Sequence, residues 1–251
     1  MGKSRYKLNE IYEKLLDAYS YQGWWPIINY KGETPNKKGS IKGYHPNDYD
    51  FPRDNNEQFE IIIGTILTQN TSWLSVEKSL NNLNKIIDFT EGNLSLKFKE
   101  LLETEEDLVK NAIKPAGYYN QKFVYLKNIT DFYISLDGKK PGRSEVLSVK
   151  GVGNETADSI LLYAYGMHEF VVDTYTRRIF VNLNYINKKD SYIKIKKFFQ
   201  HNFNGGVNEY QEFHGLIVEH AKHYYSKKPY GVDDKLLEEY KLNWFQIKIS
   251  L

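Results

Sequence analysis

The chain has 251 residues with 21 Tyr and 13 Phe, enough apolar material for one large or two small domains with a hydrophobic core, which argues against a disordered chain. The formal net charge of +2 excludes a polycation that coats DNA, although a local basic face would suffice for nucleic-acid binding. Because the sequence has no cysteine, no apolar run of 18 residues and no recognisable signal peptide, we exclude disulfides and a cysteine-ligated iron–sulfur cluster and expect a soluble, intracellular protein that does not span a membrane.

The N-terminal part combines an amphipathic helix with a long polar stretch. Over residues 5–20 apolar side chains recur at three- and four-residue steps, which predicts a helix. Trp24, Trp25 and Pro26 follow. Residues 30–58 are rich in Lys, Gly, Asn and Pro, and this composition predicts a long surface loop, most simply a family-specific insertion.

Regular helical spacing resumes at Phe59. The helix that begins there is predicted to end at residues 68–71. Ser72 is predicted to cap the following helix, in which Trp73 faces inward.

Shorter helices are predicted over residues 96–102 and 104–113. The second is predicted to open with a capping box that starts at Thr104. Pro115 interrupts the pattern, because proline disfavours helical geometry in the residue before it, and helix is predicted to resume near residue 119.

The C-terminal part also shows helical spacing throughout. No segment alternates apolar and polar residues with period two, so we predict an all-α fold. The helices predicted here cover residues 174–183, 192–199, 207–225 and 234–240.

Residues 147–178 contain the most informative pattern. A short apolar helix runs into Gly151-Val152-Gly153, and a second helix follows at once. Two glycines around one aliphatic residue allow a tight hairpin, because glycine tolerates positive φ and close backbone approach. The start of the second helix leaves backbone N–H groups that can hold a phosphate. Taken alone, the pattern is equally compatible with a plain helix–turn–helix corner.

This stretch resembles the helix-hairpin-helix motif of the endonuclease III (HhH-GPD) superfamily of DNA base-excision glycosylases, whose catalytic Asp follows an apolar pair at the distance of Asp173. The resemblance implies two helical domains with a cleft between them, one of residues 59–173 and one of residues 1–58 plus 174–251. It also implies a catalytic role for Asp173. This residue lies just before a helix, where the helix dipole favours a negative charge. Such an anion can stabilise the positive charge that develops at C1′ and can activate a water molecule. From spacing alone, a simple N-cap is the better interpretation.

The residue at the second position after Gly153 indicates the reaction type. Lyase members of the family carry a lysine there, which attacks C1′ and forms a Schiff base. Here that residue is Glu155, which cannot form an imine, and Lys150 precedes the hairpin. We therefore predict a monofunctional glycosylase with no abasic-site lyase activity.

Two further stretches, residues 66–71 and 114–122, match DNA-facing loops of the family. Together with Trp24-Trp25-Pro26 and the Phe-His-Gly of residues 213–215, they are most similar to the 3-methyladenine DNA glycosylase III branch, which lacks the iron–sulfur cluster. By this resemblance Gln69 fills the space of the flipped base and Tyr118 wedges the opposite strand, although Tyr118 could equally pack on Pro115. The residues predicted to contact DNA are Gln69, Asn70, Tyr118, Asn120, Lys122, Gly151, Gly153, Asn154 and Thr156. Lys122 would do so through a phosphate, although residues 120–122 could equally be the polar start of a helix.

The base pocket is predicted from the same resemblance, at Trp24, Trp25, Pro26, Trp73 and Lys222. Without the family resemblance, tryptophans beside a helix are more often part of the hydrophobic core than of a binding pocket. Stacked aromatic rings suit a cationic base such as N3-alkylated adenine, by about 0.5–2 kcal/mol of cation–π attraction. Lys222 argues against a cation unless it pairs with an acid such as Glu219. Two departures from the family pattern, the insertion of residues 30–58 and Leu216 where relatives carry lysine, leave the identity of the excised base undecided.

No metal site is predicted, because His220 and His223 lack a convincing third ligand, and His214 fits a buried structural position of the family. The resemblance implies no cofactor beyond a monovalent cation on the hairpin carbonyls. The expected partner is double-stranded DNA with a damaged base, bound by a monomer. The alternatives are a glycosylase for a deaminated, oxidised or mismatched base, and a non-catalytic DNA-binding module.

Overall fold

The computed structural model describes residues 6–32 and 42–243. Over these ranges the chain forms α-helices and no β-strand, which confirms the predicted all-α class. None of the helices in this part of the chain is long and apolar enough to cross a membrane. The α-helices are α1 (Leu8–Tyr19), α2 (Asn55–Leu67), α3 (Trp73–Ile86), α4 (Leu94–Thr104), α5 (Glu106–Ile113), α6 (Tyr119–Ser135), α7 (Arg143–Ser148), α8 (Asn154–Ser159), α9 (Thr174–Asn182), α10 (Tyr192–Asn202) and α11 (Val207–Tyr224). Short 3₁₀ turns cover Lys114–Ala116 and Glu238–Tyr240, and one π-helical turn covers Ile160–Ala164.

The start of α2 and the capping box predicted at Thr104 both differ from the sequence prediction. Helix α2 begins four residues before Phe59, since the Asp54 carboxylate accepts hydrogen bonds from the backbone N–H groups of residues 56 and 57 at 2.8 and 2.9 Å. The capping box at Thr104 is wrong: Thr104 ends α4, and its hydroxyl donates to the Glu100 carbonyl at 2.9 Å. Ser72 precedes α3, but its hydroxyl contacts the hydroxyl of Ser75 instead of the backbone.

The segment from residue 42 to residue 54 is only partly on the surface, so the prediction of a surface loop is wrong for its buried residues 43–45 and 51. Tyr44 and Phe51 are buried. The His45 ring stacks on Phe51 with centroids 4.0 Å apart, and its Nε2 lies 2.9 Å from the Trp25 carbonyl oxygen. Residues 33–41 of the same predicted loop, and Arg5 in the predicted first helix, lie outside the described residues.

The helices pack as two groups joined at the π-helical turn. Helices α2 to α6 contact one another in the first group, and α11 contacts both α1 and α9 in the second. The turn Ile160–Ala164 contacts α2 on one side and α11 on the other. The N- and C-terminal segments therefore meet, as the family pattern implies. The division at residues 59 and 173 into two domains stays a prediction.

A buried polar network holds the segment that follows α11. His220 accepts or donates at both ring nitrogens, with the Tyr19 hydroxyl at 2.9 Å and the Asp234 carboxylate at 2.8 Å. The Tyr225 hydroxyl donates to the same Asp234 oxygen at 2.8 Å. Although burial opposes it, these hydrogen bonds and the His220 charge hold the pKa of Asp234 below its usual value. The predicted helix over residues 234–240 shrinks to the turn Glu238–Tyr240.

Candidate functional site

The predicted hairpin forms as expected, between α7 and α8. The backbone N–H of Val152 donates to the Val149 carbonyl at 3.0 Å, and α8 begins at Asn154. Gly151 has φ +103°, and a Cβ there would lie 2.3 Å from the Tyr125 ring. Gly153 has φ −95° and open space around its Cα. Only Gly151 therefore needs glycine's conformational freedom.

A buried cluster of charges fixes the hairpin to the rest of the protein. The Asp158 carboxylate, on α8, accepts from Arg143 Nε and from Lys196 Nζ, both at 2.7 Å. Lys196 also pairs with Glu169. The Asn154 side-chain oxygen accepts from Arg143 at 2.8 Å, so the amide of this predicted DNA contact is partly engaged within the protein. Because Asp158 is fully buried, losing one partner would leave an uncompensated charge.

Asp173 caps α9 and is held in one orientation. Its Oδ1 accepts from the backbone N–H of Thr176 at 2.6 Å and from the Thr176 hydroxyl at 2.7 Å. Its Oδ2 lies 3.9 Å from His214 Nε2. The side chain is 13% exposed, so the carboxylate is not fully sealed from solvent. The N-cap and the catalytic interpretations are therefore compatible at one residue.

His214 and Tyr163 connect Asp173 to the aromatic residues. The Tyr163 hydroxyl lies 2.7 Å from His214 Nδ1, and the Tyr163 ring lies 5.4 Å from the Trp25 ring. Burial lowers the pKa of His214, although the nearby Asp173 charge opposes the shift. A neutral His214 next to a carboxylate supplies a dipole without neutralising the anion.

Glu155 lies close enough to Asp173 for the two charges to interact. The side chain is exposed, although neighbouring protein groups surround much of it. Desolvation raises the pKa of Glu155 to about 7, with a further contribution from Asp173 and an opposing one from Arg177. The residue at the position of the lyase lysine is thus an acid that is about half protonated at neutral pH.

The three tryptophans predicted for the pocket come together. Trp24 lies 5.2 Å from Trp25 and 5.0 Å from Trp73 between ring centroids, and Trp25 lies 5.4 Å from Trp73, all in edge-to-face geometry. We call these three residues the tryptophan cluster. Tyr44, from the predicted loop, adds a fourth ring at 5.8 Å from Trp24.

The tryptophan cluster leaves little space for a base: Trp24 and Trp25 are buried and Trp73 is half-buried. Trp24 is 9% exposed and Trp25 4%. The cavity beside Trp73, which Pro26 also lines, has a volume of about 10 Å³, room for one water molecule. None of the three indole N–H groups has a hydrogen-bond partner among the described residues. A base could enter only if these side chains moved.

Lys222, predicted for the pocket, and Glu60, bonded near Pro26, each have a defined partner. Lys222 Nζ pairs with the buried Glu219 carboxylate at 3.1 Å, the ion pair expected if the pocket is to accept a cation. Glu60 accepts a hydrogen bond from the backbone N–H of Ile28 at 2.7 Å, just after Pro26. Burial raises the pKa of Glu60 to about 8, so this residue is mostly protonated at neutral pH.

The two predicted DNA-facing loops differ in how far they project. Tyr118 is 70% exposed at the start of α6, with φ +48°, and does not pack away from solvent on Pro115; Asn120 is also exposed. Asn70 is exposed with φ +54°. Gln69 instead turns to the hairpin, where its Nε2 donates to the Gly151 carbonyl at 2.9 Å and to the Thr156 hydroxyl at 3.1 Å.

The prediction that Lys122 contacts phosphate is wrong. Its side chain is buried, with the residue 2% exposed. Its Nζ donates to the carbonyls of Leu67 and Ala116 at 2.7 and 2.8 Å. A phosphate cannot reach an ammonium that is enclosed in this way.

The hairpin carbonyls already accept hydrogen bonds from the chain itself. The carbonyls of Val149, Lys150 and Gly151 accept from Val152 N–H, Asn128 Nδ2 and Gln69 Nε2, at 3.0, 3.0 and 2.9 Å. A monovalent cation would have to share them, and its presence stays a prediction. Within the described residues, no group of three His, Cys, Asp or Glu side chains is placed to hold a metal.

Sequence reasoning missed the residues that join the two halves of the site. Tyr163 and Tyr44 carried no signal, because their roles depend on long-range contacts. The π-helical geometry of Ile160–Ala164, which contains Tyr163, has no sequence signature either. His214 was assigned a structural position, and the structure adds its approach to Asp173.

Known proteins resemble the chain in sequence and in fold. A model of the HhH-GPD superfamily base excision DNA repair proteins matches residues 63–204. A candidate DNA repair glycosylase of Methanocaldococcus jannaschii is 40% identical over 230 residues, 87% of this chain and 89% of that protein. Endonuclease III of Sulfolobus acidocaldarius is 29% identical over 170 residues, 65% of this chain and 72% of that one.

Among solved structures, the H. pylori 3-methyladenine DNA glycosylase bound to 1,N6-ethenoadenine matches with a TM-score of 0.63 and 25% identity, over 88% of this chain and 98% of that one. A non-covalent endonuclease III–DNA complex matches in fold with a TM-score of 0.64 at 18% identity, over 93% of this chain and 91% of that one. With the family model covering more than half of the chain, and a 40% identical relative along most of it, the chain belongs to the HhH-GPD superfamily of base excision DNA repair glycosylases.

Proposed function

We propose that the protein is a monofunctional DNA glycosylase that hydrolyses the N-glycosidic bond of alkylated purines such as 3-methyladenine in double-stranded DNA. The observation that carries the proposal is the placement of Asp173. Its carboxylate is held by Thr176, lies beside Glu155 and is connected through His214 and Tyr163 to the tryptophan cluster. A flipped nucleotide between them would present C1′ to the anion and its base to aromatic rings.

In this mechanism Asp173 stabilises the positive charge that develops on the sugar and orients the attacking water. The base leaves with the bonding electrons, water supplies the hydroxyl at C1′, and an abasic site remains. Glu155, at the position of the lyase lysine, cannot form a Schiff base, which supports hydrolysis over lyase chemistry. Its protonated form adds no second negative charge beside Asp173.

Three features support an alkylated purine as the substrate. The aromatic rings offer stacking and cation–π attraction to a positively charged base. The Lys222–Glu219 ion pair removes the repulsion that a free ammonium would exert. The matched H. pylori enzyme, at 25% identity, is a 3-methyladenine DNA glycosylase.

One observation favours a second candidate, a deaminated or oxidised base. The three indole N–H groups of the tryptophan cluster lack partners among the described residues. They could donate to the carbonyl oxygens that such bases carry, which would recover the cost of leaving buried donors unpaired.

A panel of lesion-bearing duplexes tests the proposal. The panel contains 3-methyladenine, 1,N6-ethenoadenine, hypoxanthine, uracil, 8-oxoguanine and a T·G mismatch, with Asp173→Asn as the inactive control. We expect release of the alkylated purines. Release of hypoxanthine, uracil or 8-oxoguanine alone would establish the second candidate instead. Salt-sensitive binding with no release from any duplex would indicate a non-catalytic DNA-binding module.

Borohydride trapping tests the absence of lyase activity. A Schiff-base intermediate is reduced to a stable enzyme–DNA adduct, whereas hydrolysis forms no imine between enzyme and DNA that could be trapped. We expect no adduct from the wild type on a substrate that it cleaves. An adduct that disappears in Lys222→Ala would assign the lyase chemistry to that lysine and overturn the proposed mechanism.

A further inference from the structure

Lys122 is a buried lysine with an unusual set of partners. Its ammonium group donates to two backbone carbonyls, Leu67 at 2.7 Å and Ala116 at 2.8 Å. Within the described part of the chain it forms no ion pair with a carboxylate. Burial lowers the pKa of Lys122 to about 8, with no charged neighbour contributing to the shift. A lone buried ammonium is costly, so its retention needs a reason beyond packing.

The two carbonyls occupy equivalent places in the fold. Leu67 ends α2, and Ala116 ends the 3₁₀ turn before α6. The last carbonyls of a helix lack partners within it, and a cation is favoured at this negative end of the helix dipole. Lys122 thus bonds the ends of two helical segments that are far apart in sequence.

Each carbonyl also lies two residues before a side chain that is proposed to probe the duplex. Gln69 follows Leu67, and Tyr118 follows Ala116. Both loops pass through left-handed backbone conformations, with φ +54° at Asn70 and φ +71° at Gly117. Lys122 Nζ bonds the Leu67 and Ala116 carbonyls, from which the two loops begin. A shift of one loop would therefore act on the other through this ammonium group.

We infer that Lys122 is a positioning residue that couples the Gln69 loop (residues 68–71) to the Tyr118 loop (residues 117–119), so that both enter the duplex together when a base is extruded. The inference rests on the proposed function, since it concerns how the base reaches the site. Lys122 itself touches neither DNA nor the base. Its effect is therefore on base extrusion and not on the chemical step or on the attraction to phosphate.

Amide hydrogen exchange of the DNA-free protein tests the coupling without reference to activity. Lys122→Met keeps most of the side-chain length and removes the donors. We expect faster exchange in both loops. Lys127→Met is the matched control on the same helix, because Lys127 Nζ lies over the Phe123 ring at 5.7 Å and makes no hydrogen bond to the Leu67 or Ala116 carbonyl, and it should leave both loops unchanged. Faster exchange in one loop alone, or in neither, would overturn the coupling.

Excision kinetics then separate extrusion from chemistry. With the target base paired, we expect Lys122→Met to lower kcat/KM about 100-fold, the size of a loss caused by misplaced groups. With the same base opposite an abasic site, where extrusion is easier, the loss should shrink to about threefold or less. Equal losses on both substrates would indicate general damage and contradict the inference. Lys122→Arg, which retains charge and donors, should recover part of the activity.

The salt dependence of binding distinguishes a positioning residue from a phosphate contact. A lysine on a phosphate would reduce the slope of log K against log salt by about 1 when it is removed. We expect the slope of Lys122→Met to equal that of the wild type, and a reduced slope would refute the inference. If Lys122→Met does not fold, Lys122→Gln takes its place, because its shorter amide cannot span both carbonyls. If the wild type releases no base at all, the proposed function fails, while hydrogen exchange still decides the coupling.

Discussion

Asp173 and the tryptophan cluster, the two halves of the candidate site, differ in how their polar atoms are partnered. Asp173 Oδ1 accepts two hydrogen bonds from Thr176, and the carboxylate stays partly exposed. The indole N–H groups of the tryptophan cluster have no partner among the described residues, and the rings close on each other. The carboxylate proposed as catalytic is therefore already oriented in the free protein, whereas the proposed base pocket must open. Replacing Asp173 should affect the chemical step alone, and replacing a tryptophan should affect both stability and base selection.

The largest expected effect is the loss of activity when Asp173 is replaced. Asp173→Asn should lower kcat on the best lesion of the panel about 1000-fold, within the usual range for loss of a catalytic acid or base. Asparagine caps helices as well as aspartate does, so the melting temperature should hardly change. Single-turnover excision with a parallel thermal melt checks both statements. A variant that loses activity only because α9 melts would place the residue in the structure and not in the chemistry.

A smaller effect is expected when the donor of one indole is removed. Trp25→Phe keeps an aromatic ring and deletes an N–H that has no partner in the free protein. If that N–H donates to the extruded base, kcat/KM should fall about tenfold, the equivalent of one hydrogen bond. The free energy of unfolding should fall by about 1–2 kcal/mol for the smaller ring. A tenfold loss that is the same for every lesion of the panel would argue against a role in base selection.

The next effect concerns how pH acts on the segment of residues 24–28, which carries Trp24 and Trp25. Glu60, bonded to Ile28 N–H, has a pKa of about 8 when folded against about 4.5 in the unfolded chain. The folded state therefore binds the extra proton, and its stability falls as the pH rises from 4.5 through 8. Glu60→Gln retains the acceptor and cannot ionise. Its melting temperature should exceed that of the wild type at pH 9 and approach it at pH 5.

The smallest effect is expected at Glu155, because its side chain is exposed and solvent partly screens its charge. Its pKa of about 7 is also above the unfolded value, so ionisation near pH 7 places a second charge beside Asp173. Glu155→Gln should flatten the pH dependence of excision between pH 6 and 8 without producing a borohydride adduct. A pH profile identical to that of the wild type would show that another group titrates in this range.

The hairpin and Asp173 could be predicted because their determinants are local. Gly151 must adopt φ +103° against the Tyr125 ring, and a helix start must follow, so the pattern is fixed within a few residues. Asp173 likewise caps its own helix. The amphipathic spacing of α1, α3 and α11 is local in the same sense, and it was sufficient for the all-α class.

Residues 42–54 and Lys122 were mispredicted because their environment is not local. Polar composition indicated a surface loop, yet Tyr44 packs beside Trp24, the His45 ring lies against the Trp25 carbonyl, and Phe51 stacks on His45. A lysine in a DNA-facing motif suggested phosphate, yet the ammonium is enclosed by the ends of two helical segments. Burial of these residues depends on chain segments brought together by folding, which composition cannot report.

The sequence by itself determined that the chain is helical and that its hairpin is followed by Asp173 at the start of a helix. By resemblance to the family, it also identified Glu155 as the residue at the position of the lyase lysine. These features depend on backbone geometry and residue identity over a few positions. Only the tertiary structure decided that His214 and Tyr163 bridge Asp173 to the tryptophan cluster, that this cluster leaves little space for a base, and that Lys122 joins two loops. These arrangements depend on hydrogen-bond partners that folding brings together from distant parts of the chain. The free energy of burying a polar group depends on whether it has such a partner and not on the sequence distance between the two.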